Sequence, residues 1–362
     1  MTTTTLISGP DGITPAWLTA ALRSRGAIDA DTKVASADTV SFGDQAGLMG
    51  ALYRTTIGYE AGTGPETVVI KLPVTDPAQR GVADALAFHA RECYFYTNLA
   101  PAMPIRVPEC YGLAQDPGDS TDFVLIMEDL GGLERVDQVE GASERAVLTA
   151  ADAAARFHAV HWDSPELETL DAVYPRLDGP LYRAVLPGVF ETSWGPTKTH
   201  AGDLLSADVI AYGDRFAEHL PFLLTELGGP QATFLHGDFR GDNMMLDGDE
   251  VALLDFQISG IGRGPFDIGY LMSQSVKSDL RRQIEESVLD TYVNALAKAG
   301  VELDRDEAGR LYRLSLVLCI IYATTSFQAW DAFGERQHEL MRTMLRRSSR
   351  AIDETGGLSL LP

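Results

Sequence analysis

The chain has 362 residues, 45% apolar and 22% charged, a globular composition with room for about two lobes at ~150 residues per domain. Its 29 basic and 52 acidic residues give a net charge of −23, so neither nucleic acid nor a membrane is expected as the main partner. Three widely spaced cysteines, Cys93, Cys110 and Cys319, with no CxxC pair, argue against a disulfide framework or a cysteine-held zinc.

The first residues show no basic region followed by an apolar one, so no signal peptide and a cytoplasmic location are expected. Thr14-Pro15 opens a short helix that Gly26 closes. Residues 51–59 and 67–72 have strand composition, and a turn-rich EAGTGPE separates them. Residues 82–99 read as one amphipathic helix, and FVLIM at 123–127 as a buried strand. Gly131-Gly132 mark a boundary, which predicts an N-terminal lobe over 1–128 and a helical C-terminal lobe over 129–362. Beyond it, residues 143–162 form an Ala-rich helix, residues 165–196 are broken by five prolines, and residues 201–227 are helical. Two short strand candidates, ATFLHGD and EVALLDF, flank an Asp-rich loop, and residues 277–353 are mostly helix. The uncharged stretch 314–330 is shorter than a membrane span usually needs and reads as a buried helix. The expected fold class is α+β, a small β-rich lobe before a larger helical one.

The densest chemical signal is His236-Gly237-Asp238-Phe239-Arg240-Gly241-Asp242-Asn243, followed by Leu254-Asp255-Phe256-Gln257. Asp and Asn in such turns also serve merely to satisfy backbone groups. Both halves in order match a phosphoryl-transfer pattern, HxDxxxxN and then an Asp at a strand end. Asp238 is then the base or orienting group for an acceptor hydroxyl. Asn243 and Asp255 supply oxygens to a hard cation such as Mg²⁺. Lys71 sits inside an apolar strand and needs a partner. Glu92 lies on the inward stripe of the helix that follows, and a Lys so held reaches nucleotide phosphates. Gly43, Gly47 and Gly50 precede that strand and permit a turn whose amides approach phosphates. Glu128 and Leu130 fall where a hinge would offer backbone groups to an adenine edge.

Together these residues resemble the aminoglycoside phosphotransferase-like and choline kinase-like superfamily over residues 42–276. The Asp255-Phe256-Gln257 ending looks like its ecdysteroid-kinase-like branch. Gly262-Arg263-Gly264-Pro265-Phe266-Asp267-Ile268-Gly269-Tyr270 also resembles this superfamily rather than the protein kinases. Gln257 stands where protein kinases have Gly, and no Ala-Pro-Glu follows, which puts control through an activation loop in doubt. The resemblance implies a bilobal kinase fold, ATP and Mg²⁺ as cofactors, and transfer of the γ-phosphate to a small-molecule alcohol. It also implies that Asp267 pins the catalytic loop. A natural-product, steroid-like or lipid-derived alcohol is one acceptor class and a cationic aminoglycoside another. A nucleotide-binding pseudokinase scaffold is the reading from outside enzymology, and the intact Lys71, Asp238, Asn243 and Asp255 argue against it. Candidates for the acceptor site are aromatics of the Pro-broken region and the late helix, a residue type that at these spacings more often forms core than ligand contacts: Tyr174, Tyr182, Phe190, Trp194, His200, Tyr212, Phe216, Tyr322, Phe327 and Trp330. Asp171, Asp178, Glu191, Asp203 and Asp208 are the acidic residues an aminoglycoside would need clustered. No oligomeric state is legible.

Overall fold

A computed structural model describes residues 4–42 and 50–362. The chain divides into two compact units, Met1–Ala102 with Val107–Leu133, and Met103–Arg106 with Glu134–Pro362.

The first unit opens with α1 (Pro15–Ser24), where Thr14 Oγ1 accepts the Trp17 amide at 3.2 Å and Pro15 sits at the first helical position. Strands β1 (Lys33–Ser41), β2 (Ala51–Ala61) and β3 (Thr67–Leu72) follow, then helices α2 (Pro77–Ala85) and α3 (Phe88–Tyr94), then β4 (Cys110–Gln115) and β5 (Phe123–Glu128). Among the described residues these strands form one antiparallel sheet in the order β1-β2-β3-β5-β4. Val68, Ile70 and Leu72 of β3 bury one face of that sheet in a core shared with Leu18 and Leu22 of α1. Side chains alternate along a strand, so Lys71, out of phase with those three, faces the other side.

The single helix expected over 82–99 is broken. Ala87, at φ 52°, stands in the left-handed region between α2 and α3, and a π-helical turn covers Phe95–Leu99. Ala has the highest helix propensity, so composition gives no sign of the break. It lets α3 start in a new direction.

The second unit contains β6 (Glu134–Arg135), α4 (Glu144–His161), α5 (Glu166–Leu170), α6 (Pro180–Ala201), α7 (Ala207–Asp214) and α8 (Phe216–Gly228). Then come β7 (Thr233–Leu235), β8 (Met244–Asp247), β9 (Glu250–Leu253) and β10 (Gly260–Gly262). Helices α9 (Pro265–Gln274), α10 (Ser278–Lys298), α11 (Arg305–Leu318), α12 (Ile320–Thr325) and α13 (Glu335–Thr355) complete it. Strands β6, β8 and β9 form one small sheet, and β10 pairs with β7. A strand not expected inside the Asp-rich loop, β8, runs antiparallel to β9 with Met244 opposite Leu253, which brings Asn243 against Leu254.

The expectation that prolines break 165–196 throughout is corrected in its second half. Helix α6 continues through Pro187 and Pro196 for 22 residues. An internal proline costs ~3 kcal/mol or more. Here Phe190, Trp194 and Ala201 are buried on one face, against a core that includes Phe216, Leu220 and Phe327, and that burial offsets the lost backbone bonds. The uncharged stretch 314–330 spans α11, α12 and a 3₁₀ turn, and is broken rather than continuous α-helix. The helical run Arg305–Ala332 is long and apolar enough to cross a membrane by composition, but 72% of its most apolar window is buried inside the protein.

Candidate active site

In the first unit Lys71 and Glu92 meet. Both are buried, and Lys71 Nζ donates to Glu92 Oε2 at 2.7 Å. The broken helix makes this possible, because α3 carries Glu92 inward on a turn that also buries His89 and Cys93. Gly50 lies beneath the lysine: a Cβ there would stand 2.7 Å from Lys71 Cε, so a larger residue would press the lysine side chain to shift. Gly43 and Gly47 lie outside the described residues.

Residues 128–130, expected as a hinge, form a tight connector at the end of β5. The Glu128 amide donates to Glu109 O at 2.9 Å, and the buried Leu130 accepts the Leu133 amide at 2.9 Å on its carbonyl. Between them Asp129 takes a bidentate pair from Arg54 of β2, at 2.7 and 2.9 Å, and the Gly131 amide at 3.0 Å. Burial alone would raise the Asp129 pKa, but the Arg54 guanidinium and these hydrogen bonds hold it below the usual carboxylate range.

In the second unit the loop after β7 begins at His236. Its Nε2 sits 2.9 Å from Leu254 O, and its Nδ1 accepts the Asp238 amide at 3.2 Å. Both ring nitrogens are spent on the backbone, so His236 shapes the loop and ties it to the strand end that carries Asp255. Gly237, at φ 81°, makes the turn, and a Cβ there would collide with Ile258 O.

Asp238 is nearly buried and ringed by donors. Tyr270 Oη donates to its Oδ1 at 2.7 Å, Asn243 Nδ2 to its Oδ2 at 2.8 Å, and Arg240 Nε straddles both oxygens at 3.1 and 3.2 Å. Burial opposes ionisation, yet the Arg240 charge and the Tyr270 and Asn243 bonds outweigh it and hold the carboxyl below the usual range. Arg240 is the counterpart: burial disfavours its charge, but Asp238, Tyr270, Asp242 and Asp255 around it raise its pKa.

A divalent cation fits this arrangement. The Asn243 amide nitrogen is committed to the carbonyl and carboxylate of Asp238, at 3.0 and 2.8 Å, which leaves Oδ1 as the atom a cation would use. Asn243 O also accepts the Leu254 amide at 2.9 Å, which seats Asp255 beside it. Asp255 takes a left-handed backbone at φ 61°, a conformation Asp tolerates better than most residues. Among the described residues no group of three His, Cys, Asp or Glu forms a metal cluster. Two protein oxygens suit Mg²⁺, which keeps several waters and takes further ligands from phosphates.

Helix α9 holds the whole loop. Asp267 Oδ2 and Oδ1 accept the amides of His236 and Gly237 at 2.8 and 3.1 Å. Tyr270, one turn on, reaches Asp238, and Ser275, just past the helix end, accepts the Gly241 amide at 2.9 Å. Behind Asp267 the buried His158 ring bridges to Tyr292. Tyr270 and Arg240 stand in the sequence motifs without a role of their own there, and Gln138, whose Oε1 accepts from Arg240 at 3.4 Å, stands in neither motif. The i, i+3 spacing of Asp267 and Tyr270 was the available signal for the first of them.

The aromatic pool mostly proves to be core. Phe190, Trp194, Tyr212, Phe216 and Phe327 are buried together, and Tyr174 packs on Phe234. Tyr322 is joined to the Asp238 cluster by a ring contact, 4.6 Å from Tyr270. The acidic pool does not gather: Asp203 pairs with Arg342, Asp178 with Arg176, and Asp171, Glu191 and Asp208 are exposed.

The ecdysteroid kinase-like family model matches residues 45–304. No curated protein matches the sequence. Among solved structures the fold is similar to choline kinase from Cryptosporidium parvum Iowa II, with TM-score 0.56, 12% identity, and 90% of this chain and 92% of that one covered. It is also similar to wild-type aminoglycoside 2′-phosphotransferase IIIa in its GDP complex, with TM-score 0.53, 14% identity, and coverage of 91% and 95%. The fold is thus α+β and protein-kinase-like, a β-rich lobe followed by a helical one.

Proposed function

The chain belongs to the ecdysteroid kinase-like family, and from that premise we propose that it is an ATP-dependent O-phosphotransferase that phosphorylates a hydroxyl of a small, largely apolar alcohol. The observation that carries this reading is the Asp238 cluster, a carboxylate held ionised beside an amide oxygen and a second carboxylate. Asp238 orients the acceptor hydroxyl and takes its proton as the oxygen bonds to the γ-phosphorus and the bond from that phosphorus to the β-phosphate oxygen breaks, releasing ADP. Asn243 and Asp255 would hold Mg²⁺, which would supply positive charge against the nucleotide phosphates. Lys71, kept in place by Glu92, contacts the α- and β-phosphates, and residues 128–130 receive the adenine.

The scattered acidic pool disfavours an aminoglycoside, a polycation that needs several carboxylates at once. Tyr322 beside Tyr270 favours an acceptor with an apolar or aromatic body. A scaffold without chemistry would have no use for an ionised buried aspartate between three donors. The reducing cytoplasm suits a chain whose described cysteines are all free.

The test is an intact-mass screen with MgATP and a mixed pool of sterols, terpenoid alcohols, choline and aminoglycosides. A gain of one phosphate on a neutral alcohol, lost in Asp238→Asn, is the expected result. Phosphorylation confined to aminoglycosides would replace this acceptor class with the other.

A further inference from the structure

We propose that Tyr270 is a positioning residue for phosphoryl transfer: its phenol fixes Oδ1 of Asp238, the carboxylate oxygen left to receive the acceptor hydroxyl. The inference rests on the reading of Asp238 just given. A carboxylate oxygen has about two lone-pair sites. On Oδ2 both are taken, by Asn243 at 2.8 Å and Arg240 at 3.2 Å. On Oδ1 the phenol takes one at 2.7 Å, and the other is only shared with Arg240, whose single Nε–H is split between the two oxygens. The incoming alcohol therefore has one place to donate its proton, and the phenol sets the plane in which that place lies.

The phenol is suited to this task. It is buried on α9, the helix whose Asp267 holds the start of the same loop, so carboxylate and backbone are positioned from one rigid element. Burial and the adjacent charge of Asp238 keep its proton in place, so it remains a donor throughout. Its ring rests against Tyr322, which leaves the side chain little freedom to turn away.

Rates are read as ADP release from MgATP, first with water as the acceptor and then with any alcohol the screen identifies. Tyr270→Phe keeps the ring and removes the donor. It should lower kcat by roughly 10- to 100-fold, the worth of one hydrogen bond to a charged group, with the KM for ATP within about twofold of wild type. In the double variant with Asp238→Asn the two losses should not multiply, because the phenol acts only through that carboxylate. A Tyr270→Phe enzyme at the wild-type rate overturns the proposal. So does a double variant whose loss equals the product of the single ones, which would make Tyr270 a packing residue. Should Tyr270→Phe not fold, Tyr270→Leu takes its place with the same outcomes. If Asp238→Asn itself turns over normally, it is the parent reading of Asp238 that fails, a result distinct from failure of Tyr270→Phe alone.

Discussion

On the proposed reading Asp238 carries the chemistry, and its surroundings bear on which part. A carboxyl held below its usual range is ionised at neutral pH and is a weak ground-state base, so most of its effect lies in orienting the hydroxyl until the transition state forms. Asp238→Asn should cut turnover by about 10²–10⁴-fold with little change in calorimetric ATP affinity. Asp255→Ala removes a cation ligand instead, and should abolish the Mg²⁺-dependent part of any ATP-induced thermal shift. His89 gives a prediction of another kind. It stacks on Phe123 at 4.3 Å, and both its ring nitrogens lack partners among the described residues. Burial, then the charges of Lys71 and Arg80, pull its pKa down to about 3. The unfolded chain binds that proton near pH 6.5 and the folded chain refuses it, so stability falls as pH drops from about 6.5 towards 3. Between pH 7 and 5 this amounts to about 2 kcal/mol, a loss that His89→Leu should largely remove in urea titrations. The pairing of Lys71 with Glu92 and the closeness of Asp238 and Asn243 were legible in the sequence, because their spacing along the chain already suggests it. The contacts of Tyr270 and Gln138 were not, because each reaches the cluster through packing between elements far apart in sequence.

At the scale of elements, α9 and the residue that follows it are the frame of the loop. Four hydrogen bonds from Asp267, Tyr270 and Ser275 reach residues 236, 237, 238 and 241. The Ser275 contact is buried, and Ser275→Ala leaves the Gly241 amide without its acceptor. That should cost about 1–3 kcal/mol in denaturant unfolding, and a variant as stable as wild type would remove this contact from the frame. Helix and strand identities were largely legible. Residues 67–72 match β3, and the Ala-rich stretch is α4 with Ser143 capping the Ala146 amide. The misses have tertiary causes. Helix α6 passes through two prolines because its aromatic face is buried, and the 82–99 segment bends at an alanine because Glu92 has to reach Lys71.

Across the whole molecule the charge of −23 is the dominant long-range term. Much of the arginine complement is paired with carboxylates, and the excess acid is left to repel itself. Raising NaCl from about 10 to 300 mM, where the Debye length shrinks from roughly 30 Å to below 10 Å, should raise Tm. A falling Tm would mean that screened ion pairs outweigh the repulsion. The composition holds one more consequence. Only five of the basic residues are lysines. Lys33, Lys198, Lys277 and Lys298 are exposed, and only Lys71 is hidden in its ion pair. Mild acylation should therefore tag four side-chain amines quickly and the fifth slowly, a difference peptide mapping reads directly. Glu92→Gln should bring the fifth tag forward, and bound nucleotide should hold it back, so the chain carries its own reporter of phosphate occupancy.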